Sequence, residues 1–144
     1  YFKKGNNYFE SALKIIKQKY RSKVEIIITK SIPYADYINL YNKSHIILDQ
    51  VFSYDQGYNA LEAMAKGKVV FTGAETEFMD YYGLTDSVCV NALPNVDSLV
   101  KALSHLIENP NEILALGKRA RAFIEKEHYY IEITQKYLKV WENN

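Results

Sequence analysis

Two short apolar runs, Ile46-Ile47-Leu48 and Val69-Val70-Phe71, flank a glycine-bearing polar stretch and a block of helix-forming residues. Each run is too brief for a helix and is bounded by polar residues, which predicts a strand buried on both faces. Between them Ala60, Leu61, Ala63, Met64 and Ala65 favour helix, and Gly67 stands where a left-handed residue would end it. Two strands joined through a helix must run parallel, so residues 46–71 form one βαβ unit.

The helix of that unit begins near residues 57–59, at the carboxyl end of the first strand. A helix start exposes unpaired N–H groups and the positive end of the dipole, an arrangement suited to phosphate. Gly57 has no side chain, so an anion can approach the backbone there. Glu62 follows about one turn later, roughly 5.4 Å along the axis, where a carboxylate can accept hydrogen bonds from a sugar hydroxyl beside the phosphate. The plainer role for Glu62 is to balance the helix dipole or to sit in solvent.

The rest of the chain alternates in the same way. Residues 7–20 carry a helical stripe of Tyr8, Phe9, Ala12, Leu13, Ile15 and Ile16, and residues 24–29 read as a buried strand. Pro33 opens a short helix through Tyr41. After the βαβ unit come a helical piece at 78–82, a last strand at 87–90, and helices at 97–108, 112–127 and 128–141. The expected fold is α/β, a Rossmann-like parallel sheet flanked by helices with further helices closing the C-terminal end, in a single domain over residues 1–144.

Composition narrows the function. A net charge of +1 offers no basic excess to neutralise a nucleic-acid backbone. Lys14, Lys17 and Lys19 read as a solvated helix face. The one cysteine, Cys89, lies in Val88-Cys89-Val90 and reads as a small buried hydrophobe; the absence of a possible disulfide fits the cytoplasm. No apolar run approaches the roughly 18 residues of a membrane span, and no signal-peptide core follows Tyr1. The missing starting methionine is what a fragment would have. His45, His105 and His128 lack companions at ligand spacing, so no metal is expected, and His45 and His105 read as packing residues. Ser53 has no nucleophile elbow, and no Walker lysine follows Gly57. Of the 13 tyrosines, Tyr54 and Tyr58 fall at the proposed site, and Tyr81 and Tyr82 read as a cleft-facing loop.

The run from Gly57 to Val70, Gly-x4-Glu-Ala-Met-Ala-x-Gly-Lys-x-Val, resembles the nucleotide-sugar core of the retaining, group 1 glycosyltransferases of the GT-B fold. Lys4-Gly5, Ser31-Ile32-Pro33-Tyr34 and the stretch from Ala120-Arg121 to Trp141 resemble other parts of the same family in order and spacing. The resemblance implies the C-terminal, donor-binding half of such an enzyme, transferring sugar from a UDP-, GDP- or ADP-sugar without a metal or other cofactor. It implies that Lys4 and the amides of Gly57, Tyr58 and Asn59 hold the diphosphate, that Glu62 holds the ribose, and that Ile32 contacts the base through its backbone. A sugar or lipid-linked acceptor would bind a missing N-terminal domain, in cell-surface polysaccharide or glycolipid synthesis, so this chain alone would bind without turnover. It would be cytoplasmic, associated with membrane only through the full-length protein.

Two departures stand out. The family's first glutamate lies eight positions before its second, where this chain has Tyr54, and Asp55 is the candidate replacement as the group orienting the donor sugar. The family's arginine ahead of Lys-Gly is not in this chain. A catalytically lapsed nucleotide-binding or scaffold domain is the alternative. A phosphoacceptor receiver domain using Asp49 is a further one, but the acid pair and lysine such a site needs are missing from Thr29-Lys30-Ser31 and from Asn91-Ala92-Leu93-Pro94.

Overall fold

The computed structural model describes residues 4–142. Among them three parallel strands form one sheet, β1 (Ile46–Leu48), β2 (Val69–Thr72) and β3 (Val90–Asn91), in the order β1-β2-β3. Ile46 pairs with Val69 and Leu48 with Phe71, while Phe71 pairs onward with Val90. Seven α-helices are described: α1 (Asn6–Tyr20), α2 (Tyr34–Lys43), α3 (Tyr58–Ala65), α4 (Thr76–Tyr82), α5 (Val96–Glu108), α6 (Pro110–Glu127) and α7 (Tyr130–Glu142).

Side chains alternate across a strand, and β2 uses both faces. Val69 and Phe71 join Phe9, Ala12 and Ile16 of α1 and Leu99, Leu103 and Leu106 of α5 in one apolar cluster. Val70 joins Tyr41 of α2, Ala60, Ala63 and Met64 of α3, Phe78 of α4, and Ala120 and Phe123 of α6 in the other. The sheet is thus covered on both sides, as the unbroken run Val69-Val70-Phe71 requires.

The expected α/β alternation is present, with differences that have physical causes. Residues 24–29 follow a short 3-10 turn, with Val24 extended at φ −133° and ψ 139°, but they join no ladder among the described residues. β-propensity needs a paired neighbour to act on. Val24 and Ile26 pack against the first cluster, whereas Ile27 and Ile28 are exposed. β1 is half-buried rather than buried on both faces, because it lies at the sheet edge. The last strand is shorter and later than 87–90. Tyr81 and Tyr82 belong to α4, as the helical piece expected at 78–82 has it, rather than to a loop. Ile15, expected on the buried stripe of α1, is exposed, since the stripe is carried by Phe9, Ala12, Ile16 and Tyr20. Both histidines expected to pack are exposed; His105 instead meets Glu112 at 2.7 Å.

Gly67 has φ +68°, the left-handed value expected of a residue ending α3. It also lies against α6: a Cβ on Gly117 would collide with the Gly67 carbonyl oxygen. Arg121 of α6 donates to the Ala65 carbonyl, satisfying an acceptor left open at the end of α3.

Candidate functional site

The carboxyl ends of β1 and β2 meet the start of α3. Gly57 precedes that helix at φ −91° and ψ 174°, with no side chain capping the helix. The first bond of the helix runs from the Leu61 amide to the Gly57 carbonyl at 3.0 Å, so the amides of residues 58–60 have no partner among the described residues. A Cβ on Gly57 would touch nothing, and its φ suits any residue, so neither packing nor conformation calls for glycine there.

Behind this helix start lies a buried polar junction. Asp49, 3% exposed, follows β1 and donates its amide to the Phe71 carbonyl at 2.9 Å. Its Oδ1 accepts from the Lys4 ammonium at 2.6 Å and from the Asn59 side-chain amide at 2.9 Å, and its Oδ2 faces the Thr72 hydroxyl at 3.4 Å. Asn59 is held from the other side as well: its Oδ1 accepts from the Tyr37 hydroxyl and its backbone carbonyl from the Tyr41 hydroxyl, both at 2.7 Å. Burial raises the pKa of both phenols, with the charges of Glu62 and Asp49 adding to the effect. These tyrosines remain neutral donors at physiological pH.

Tyr37 ties α3 to the segment carrying Ile32, which is half-buried two residues before α2. Ser31, just ahead of it, adopts φ +53°, a conformation uncommon for a residue with a side chain. Glu62 is exposed on α3, with Lys66 at 3.8 Å one turn further on. Lys4, Gly57 and Asn59 therefore gather at one end of the sheet, with Glu62 further along α3 and Ile32 ahead of α2.

The loop between β1 and α3 holds the other candidates less tightly. Tyr54 and Tyr58 are 75% and 93% exposed. Asp55 is exposed, and its carboxylate accepts from the amide of Gln56. Gln56 turns inward, donating to the Gly73 carbonyl at 2.7 Å and reaching the Cys89 sulfur at 3.7 Å. Cys89 is buried as expected, and burial pushes its thiol up to about 12. It is an inert packing group.

Tyr37, Tyr41 and Gln56 are residues that sequence reasoning did not place at the site, and Asp49 and Thr72 entered it only as the phosphoacceptor and its sensor in the receiver alternative. A charged residue directly after three aliphatic ones, and two tyrosines four apart on a short helix, were the available signals. A cleft of about 390 Å³ is lined by Tyr81, Tyr82, Glu127, His128, Ile133 and Lys136, and the charge of Asp55 reaches Tyr82 and His128 in it. The His128 ring packs on Tyr82 and Phe123, and its buried Nε2 has no hydrogen-bond partner among the described residues. Among the described residues no group of three or more His, Cys, Asp or Glu side chains is placed to hold a metal, and no helix is long and apolar enough to cross a membrane.

No curated protein and no solved structure gives a match to this chain. A family model described as glycosyl transferase-like matches residues 5–139, a span that holds the sheet, the α3 start and nearly all of the C-terminal helices. The chain therefore belongs to the glycosyl transferase-like family.

Proposed function

We propose that this domain binds the nucleoside diphosphate of a UDP-, GDP- or ADP-sugar at the start of α3. The observation that carries the reading is the uncapped first turn of α3 at the carboxyl end of β1, with Gly57 and Tyr58 exposed. Free amides there and the helix dipole favour an anion, and the bare Gly57 leaves it room. Open α/β sheets bind ligands at this end.

In this reading the amides of Gly57, Tyr58 and Asn59 and the Lys4 ammonium hold the diphosphate. They stabilise the negative charge that grows on the departing nucleotide as the glycosidic bond breaks. Glu62 accepts from the ribose hydroxyls, and the backbone at Ile32 faces the base. Asp55 orients the donor sugar, and Tyr54 and Tyr58 border it. The acceptor, a sugar or a lipid-linked sugar, binds a partner domain N-terminal to this one, so the chain alone binds without transferring. A catalytically lapsed domain is the second reading, favoured by the exposed Tyr54 at the family's acidic position and by the Asp55 carboxylate engaging its own loop.

Calorimetric titration with UDP, GDP and ADP, with and without Mg²⁺, tests the proposal. Metal-independent binding of one nucleotide is expected. Glu62→Ala should weaken it by about 1–3 kcal/mol, the range for a hydrogen bond to a charged group. Unchanged affinity in the folded variant would remove Glu62 from the ribose, and no binding at millimolar nucleotide would reject the donor site.

A further inference from the structure

We infer that Asp49 is a positioning residue for this site, holding the Lys4 ammonium and the first turn of α3 so that both address the same diphosphate. The inference rests on the donor-binding reading above and adds to it a residue that does not touch the ligand.

The Asp49 side chain is 1% exposed, while that of Lys4 is 49% exposed. One Lys4 N–H is committed to Asp49 at 2.6 Å, which leaves two donors on the solvent side. The same Oδ1 takes the Asn59 amide at 2.9 Å. One oxygen atom thus ties residue 4 to residue 59, and through it the N-terminal segment to α3. Asn59 in turn has its side-chain oxygen, side-chain nitrogen and carbonyl all engaged inward, by Tyr37, Asp49 and Tyr41. Its backbone N–H and the second hydrogen of its side-chain amide are left without a partner among the described residues. The junction therefore fixes where the free amides point and where the lysine stands, and a flexible lysine on its own would lose rotamer entropy on binding.

The sign of the Asp49→Asn effect separates this role from simple electrostatics. Removing a negative charge near a bound anion should tighten its binding by Coulomb's law alone. Positioning demands the reverse, because Asn keeps an oxygen for Asn59 but no longer anchors the ammonium. Asp49→Asn and Lys4→Gln should each weaken nucleoside diphosphate binding by about tenfold, and the double variant should be no weaker than either single one. Lys4→Arg, which keeps the ion pair, should recover part of the affinity that Lys4→Gln loses.

Tighter or unchanged binding in Asp49→Asn, or losses that add in the double variant, overturns the positioning role while leaving the donor site standing. If the wild-type chain binds none of UDP, GDP and ADP, the donor reading itself fails and the role falls with it. Circular dichroism and thermal melting establish that each variant folds. If Asp49→Asn does not, the wild-type chain decides by ¹⁵N NMR of the Lys4 ammonium. A slowly exchanging signal that persists when nucleotide is added is the expected result, and an ammonium exchanging as freely as other lysines overturns the role.

Discussion

A polar residue in this chain is informative in proportion to how far it is buried. The start of α3 after Gly57 was legible in the sequence because it depends on local pattern, and a helix start has free amides whatever surrounds it. Asp49 was not legible as a junction, since its partners Lys4, Asn59 and Thr72 are brought to it only by the fold. His128 is a further case. Burial holds its imidazole below the ordinary 6.5; Asp55 and Glu127 oppose that shift and Lys136 adds to it. The unfolded chain then binds the proton more readily than the folded one, so stability declines as pH falls below about 6.5 towards the lower folded value. The loss in melting temperature between pH 7 and pH 5 should be smaller in His128→Phe, which keeps the ring contacts with Tyr82 and Phe123 and has no nitrogen to charge. An equal loss in both proteins would place the acid sensitivity elsewhere.

At the scale of elements, helix ends were well placed by sequence and helix neighbours were not. Gly67 read correctly as the end of α3 because a left-handed residue after a helix is a local requirement. Gly117, in the interior of α6, carries no such local signal, and its reason emerges only where α6 crosses the Gly67 carbonyl. Gly117→Ala should raise intrinsic helix propensity yet destabilise the protein by about 1–3 kcal/mol through overpacking. Denaturant melts measure the outcome, and a stabilised variant would mean the two backbones separate freely. Residues 24–29 make the opposite point. Their β-branched run has the composition of a strand, but Ile27 and Ile28 stay exposed and no ladder forms among the described residues.

Across the molecule, burial is graded from the centre outward. β2 is buried along its whole length, whereas α7 has no buried residue and presents Tyr137, Val140 and Trp141 to solvent. Local stability should follow the same gradient. In hydrogen exchange the amides of residues 69–72 should be the slowest, with those of 26–29 and 130–142 faster by orders of magnitude. Uniform protection would mean that the outer segments are held by contacts not apparent here. The sequence by itself determined the alternation of helices and strands, the parallel βαβ unit and the start of α3 at the carboxyl end of β1. Each follows from periodicity and backbone chemistry within a few residues. Tertiary structure alone decided which strand became an edge, which apolar run stayed unpaired, and that residues 4, 49, 59 and 72 share one buried junction. Those outcomes depend on contacts between residues far apart in the chain, whose geometry no local pattern encodes.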